Sequence, residues 1–141
     1  MALTISDSLK DKILDGFLNN TAGGTFDTGF LRIYSGAPPG ANLAATGDLL
    51  AEVTLPADAF AAAASGTSAK LGTWEDTSAN TGGTAGYFRM VKSGDTNVAD
   101  GTEDRIEGTV TLTSGGGDLE LDNTNITQTQ VVTIGAFTLS L

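Results

Sequence analysis

An all-β fold carrying one amphipathic N-terminal helix is predicted by three features of the sequence. Apolar residues recur at a two-residue period through most of the chain, 19 glycines punctuate those runs, and a helical period is confined to the first segment. About eight strands follow from that pattern, which is the signature of an antiparallel β-sandwich or jelly roll.

The helix comes first. Ile5, Leu9, Ile13 and Phe17 recur every fourth residue, and Leu14 and Leu18 widen the stripe. Thr4 or Ser6 is placed to cap it, and Asp7 suits the positive end of its dipole. Gly16 weakens the interior by about 1 kcal/mol relative to alanine. Asn19-Asn20 and then Gly23-Gly24 end the run. Residues 1–20 therefore read as a helical arm, which either covers an open end of the β core or docks on a neighbouring subunit.

Residues 25–141 read as the β core of the same single domain, which spans 1–141. Phe30-Leu31-Arg32-Ile33-Tyr34 is a strand, with Leu31 and Ile33 on one face. The prolines of Ser35-Gly36-Ala37-Pro38-Pro39-Gly40 remove backbone donors, so a loop follows. Residues 49–55 alternate again and stop at Pro56. The alanine-rich stretch 57–64 reads as irregular, with Phe60 as its buried anchor. Residues 70–74 read as a strand, 76–83 as a polar loop, 85–91 as a strong strand and 96–99 as a short extended piece. Ile106, Gly108, Val110 and Leu112 alternate with Glu107, Thr109 and Thr111, which suits a strand with one buried face. Gly115-Gly116-Gly117 turns the chain, Leu119 and Leu121 face inward, and residues 131–141 form the longest strand, apolar on both faces. Such a strand is either central or covered by a partner, which makes Val132 and Ile134 candidate contact residues.

Composition narrows the function classes. The chain of 141 residues has 17 acidic and 7 basic residues, a net charge of −10. Its cations are dispersed, whereas a nucleic-acid surface needs them clustered to displace counterions from phosphates. No apolar run approaches membrane-spanning length, and Asp7, Lys10, Asp11, Lys12 and Asp15 interrupt any signal-peptide core, so the chain reads as soluble and unprocessed. With no His and no Cys, the usual general base, thiol nucleophile and zinc ligands are not supplied. No phosphate-binding loop is present, since neither glycine cluster has a strand–loop–helix context. A non-enzymatic role without a cofactor is the expectation.

Eight acidic residues between 93 and 123 face Arg105 alone, a local balance of −7. A solvated, self-repelling surface is the plain reading of that run. Within it, Asp118, Glu120 and Asp122 stand at i, i+2 and i+4, one face of a strand. Their spacing of roughly 7 Å suits a single Ca²⁺ poorly without loop carbonyls. A solvent face, a weak metal site and a contact to a cationic partner are the three readings. Trp74, the only tryptophan, is either an inter-sheet anchor or a subunit contact.

Several of these segments together resemble a known family. Phe30-Leu31-Arg32-Ile33-Tyr34-Ser35-Gly36-Ala37-Pro38-Pro39, residues 45–55 with Phe60, Asp76-Thr77-Ser78-Ala79, residues 83–89, residues 116–126 and the closing Thr-rich strand are similar to small structural proteins encoded in tailed-phage and prophage genomes. The likeness runs over nearly the whole chain. It implies a virion protein, assembled in the host cytoplasm, that decorates the head exterior and cements its lattice. The implied partners are the major capsid protein and further copies of this chain, and a trimer would suit threefold lattice sites. Ile5, Leu9, Ile13, Phe17, Pro38, Pro39, Trp74, Val132 and Ile134 are the candidate subunit contacts. A tail-tube or tail-tip protein is the structural alternative. A glycan- or receptor-binding module of a tail fibre is the other, and it requires aromatic side chains grouped on an exposed face.

Overall fold

Ser6 starts the one helix among the described residues, which are 3–19 and 23–141 of a computed structural model. Its hydroxyl accepts the Leu9 N–H at 3.4 Å, so Ser6 rather than Thr4 caps α1 (Asp7–Leu18). Asn19 closes the last turn by donating to the Asp15 carbonyl; the second stop residue, Asn20, lies outside the described residues. The helix is fastened to the core rather than extended from it. Leu14 and Leu18 are buried, each burial contributing about 1.5–3 kcal/mol. The carboxylates of Asp11 and Asp15 accept the N–H groups of Gly66 and Ala63, both at 2.7 Å.

The strands are β1 (Phe30–Ser35), β2 (Leu49–Thr54), β3 (Thr67–Ala69), β4 (Glu75–Asp76), β5 (Gly83–Val91), β6 (Arg105–Leu112), β7 (Leu119–Leu121), β8 (Asn125–Ile126), β9 (Val132–Thr133) and β10 (Thr138–Ser140). The main sheet runs β7-β6-β5-β1-β2-β4-β9, with β8 paired to the start of β5, and β10 pairs β3 in a separate two-stranded sheet. The molecule is thus mostly β with one helix, as the alternation predicts. The sheet is mixed, however, because β6 and β7 run parallel, pairing Val110 with Leu119 and Leu112 with Leu121. Purely antiparallel pairing is therefore corrected.

Parallel neighbours ordinarily need a crossover of a dozen or more residues. Residues 113–118 manage it by folding flat. A Cβ at Gly115 or Gly117 would collide with the Thr111 side chain, so only glycine lets the loop lie so close. Gly117 donates to Thr111 Oγ1 at 3.0 Å, and Glu120 accepts from Ser114 and Gly116 at 3.0 and 3.1 Å.

Three further expectations change. The alternation of residues 49–55 is broken by a bulge: Ile33 pairs with Ala51 but Tyr34 with Leu49, so Leu50 is an extra residue and turns inward beside Ala51. Residues 70–74 are not a strand, because Trp74 tucks into the core with its indole N–H bonded to the Leu71 carbonyl. Residues 131–141 are two short strands in different sheets: Ile134 donates to the Trp74 carbonyl, and the Phe137 carbonyl then accepts from Lys70. That switch explains why both faces of the segment are apolar. Residues 96–99 hold no strand either, since Asn97 N–H bonds the Asp95 side chain in a tight turn. Residues 57–64 are irregular and Phe60 is fully buried, as expected.

The inner face of the sheet packs Leu31, Ile33, Val53, Met90, Leu119 and Leu121 around an aromatic cluster. Phe60, Trp74, Phe88 and Phe137 meet there at centroid distances of 5.3–6.2 Å, within the range that favours edge and offset contacts. On the other face the strands approach a loop closely at Gly86, where any Cβ would fall against the Gly36 carbonyl oxygen. Gly86→Ala is expected to cost about 1–3 kcal/mol by forcing those backbones apart. Urea denaturation checks it; an unchanged midpoint would contradict the close approach.

Candidate functional site

On the outer face of the sheet, strand register aligns four charged residues in one row. Glu52 opposes Arg32, Arg32 opposes Arg89, and Arg89 opposes Glu107 across β2, β1, β5 and β6. The two central arginines are like charges facing each other, and each is neutralised from its far side. Arg32 Nε lies 2.8 Å from Glu52, and Arg89 Nε lies 2.8 Å from Glu107. In the next row Tyr34 stacks on Tyr87 with centroids 5.0 Å apart. Burial raises the Tyr34 phenol above its ordinary value.

This row is covered by the loop of residues 36–48. Arg89, fully buried, donates to the carbonyls of Leu43 at 2.8 Å and Gly40 at 3.1 Å. Arg105 reaches the Ala41 carbonyl at 3.2 Å, and Gly40 N–H returns a bond to Glu107 at 2.7 Å. Tyr87 hydroxyl donates to the Thr46 carbonyl, and Asn97 accepts from Ala45 N–H. The proline loop, with the residues that follow it, is thereby tied to the sheet by these six hydrogen bonds.

Asp95 completes the network. Its carboxylate lies 2.6 Å from Arg105 Nε, with both side chains buried, and 3.8 Å from Arg32. Burial alone would raise the Asp95 carboxyl. Hydrogen bonds from Arg105 and Asn97 N–H, with the charges of Arg105 and Arg32, outweigh it and hold the group below the ordinary carboxylate range. The same bond pushes Arg105 upward. Asp95 and Glu107 were expected in a solvated acidic run; they are instead interior counter-ions. A signal for this was available. Arg32-x-Tyr34 and Tyr87-x-Arg89 are mirror images, so an antiparallel register that sets arginine on arginine also sets tyrosine on tyrosine.

The predicted contact residues separate into two groups. Trp74, Val132 and Ile134 are consumed by the chain's own core, at 0%, 5% and 1% exposure, and so offer no surface. Ile5, Leu9 and Ile13 remain 37%, 46% and 43% exposed, while Phe17 packs partly against the core. At 3.6 residues per turn Leu9 and Ile13 lie about 140° round the helix from Leu14 and Leu18, with Phe17 between them, and Ile5 precedes the cap Ser6. The stripe is thus one wide arc, covered on its Leu14–Leu18 side and left exposed at Leu9 and Ile13. Pro38 is exposed and Pro39 half-buried on the pinned loop. Asp118, Glu120 and Asp122 are all exposed, as the one-face reading predicts. Among the described residues no group of three acids could hold a metal ion. Asp118 instead accepts from Thr109, and Glu120 from the glycine loop.

No protein-family model, curated protein or solved structure matches this chain. Function must be read from the surfaces themselves. Trp74, Tyr34 and Tyr87, the aromatics a glycan platform would draw on, are all buried.

Proposed function

We propose that this protein is a non-catalytic structural subunit of a tailed-phage particle, seated on the head exterior as a decoration protein. The uncovered apolar face of α1 carries the reading. Leu9 and Ile13 of the helix, with Ile5 just ahead of its cap, are large apolar side chains left exposed, and we read them as a surface for a protein neighbour. The resemblance of the sequence to phage structural proteins supplies the setting. Rigidity supports it as well: we read the curled sheet as a sandwich-like shell, stiffened on its outer face by buried ion pairs. The partners are the major capsid protein and further copies of this chain, met in the host cytoplasm during assembly.

Co-sedimentation with undecorated heads and, separately, with tails tests the assignment. Binding to heads at least tenfold tighter than to tails is the expected result; preference for tails, or no binding, overturns it. The double variant Leu9→Asp, Ile13→Asp should lose that binding at least tenfold. Both sites are exposed, so the variant should keep its stability within about 0.5 kcal/mol per site.

A further inference from the structure

We infer that the gap between the two edges of the main sheet accepts an extended, basic segment of a partner protein as an added β-strand. The inference does not rest on the head-binding reading. The sheet curls until its terminal strands, β7 and β9, line common grooves. The larger groove, about 570 Å³, has walls from Asp118, Glu120, Asp122, Thr133 and Gly135 and is floored by Leu121 and Phe137. A second of about 260 Å³ continues between Leu121–Asp122 and Val132–Thr133.

Both walls present backbone without a strand partner. Thr113 donates to the Leu121 carbonyl, so Leu119 and Leu121 direct their backbone groups toward β6. Alternation then points the N–H and C=O of Glu120 into the groove. On the opposite wall Ile134 N–H is bonded to the Trp74 carbonyl, which leaves the backbone groups of Thr133 aimed the other way. Two facing open edges over an apolar floor are a template for strand addition.

Charge chooses the occupant. A strand laid beside β7 places alternate side chains next to Asp118, Glu120 and Asp122, where Lys or Arg pairs across strands. Its other side chains meet Leu121 and Phe137, so they must be apolar. A second copy of this chain cannot supply such a segment. Of its seven cations only Lys10 and Lys12 stand two apart, and both lie in α1. The partner is therefore a different protein, with alternating apolar and basic residues in an extended terminus or loop.

The probe is a fluorescein-labelled nine-residue peptide alternating Lys and Val, followed by anisotropy with the full-length protein. It should bind at least tenfold tighter than a block peptide of the same composition. N-methylation of alternate amides should cost at least tenfold again, because it removes the ladder donors and keeps the charge. Asp122→Lys should weaken binding at least threefold. Among the described residues Asp122 holds no hydrogen bond or ion pair, so the variant leaves the glycine loop intact. Amide exchange at Glu120 and Thr133 should slow in the complex. Equal binding of alternating and block peptides, or of the N-methylated peptide, would reduce the effect to bulk attraction by an acidic protein and overturn the inference. No binding at millimolar peptide overturns it as well.

Discussion

Arg89→Met is expected to lower stability by about 3–5 kcal/mol and to release the loop of residues 36–48 from the sheet. Methionine fills most of the arginine stem's volume, so the loss is electrostatic rather than a cavity. Removing one member of a buried ion pair leaves the other charge uncompensated, which costs about that much. Here the abandoned group is Glu107, whose side chain is 6% exposed; at the same time the Gly40 carbonyl loses its donor and the Leu43 carbonyl keeps only the longer bond from Arg105 at 3.4 Å. Urea denaturation measures the loss, and amide exchange across residues 40–46 measures the release. Adding Glu107→Gln should restore part of the stability, since no bare charge then remains while the acceptor for Gly40 N–H is kept. If stability fell but exchange in the loop did not change, Tyr87, Asn97 and Arg105 would be sufficient to hold it.

What the sequence disclosed, and what it hid, divides along the range of the forces involved. The strands at residues 30–35, 83–91 and 105–112 were legible because alternation of large apolar and polar residues is a local property. Helix α1 was legible from its own local period, although only the Leu9 N–H bond decides between Thr4 and Ser6 as its cap. The bulge at Leu50 was not, because Leu49 and Leu50 are chemically alike and only pairing with β1 decides which turns inward. Nor was the switch of sheets between β9 and β10, where Val132, Ile134 and Phe137 give one continuous apolar run. The parallel turn of β7 depends on how Gly115 and Gly117 sit against Thr111, a contact that spacing cannot announce. At the candidate site the error had one source. Charge counted along the chain treats Asp95 and Glu107 as exposed, whereas the sheet carries Arg32, Arg89 and Arg105 to them across three strands.

Asp95→Asn is expected to remove about 3–5 kcal/mol at pH 7 and to flatten the loss of stability on acidification. The size follows from breaking a buried pair, which takes from Arg105 its hydrogen-bonded carboxylate and leaves only the charges of Glu103 and Asp100 near it. The pH dependence follows from the depressed carboxyl. In the unfolded chain Asp95 takes up its proton near the ordinary value of about 4. In the folded chain it does so only at lower pH. Its stabilising contribution is thus fully present above about pH 4 and fades as pH falls through the folded value, because the unfolded state then binds more protons. Urea denaturation at pH 7, 5, 4 and 3 should show the two proteins converging. The other carboxylates are common to both, so their effects cancel in the difference. A constant offset at every pH would mean that Asp95 titrates alike in both states.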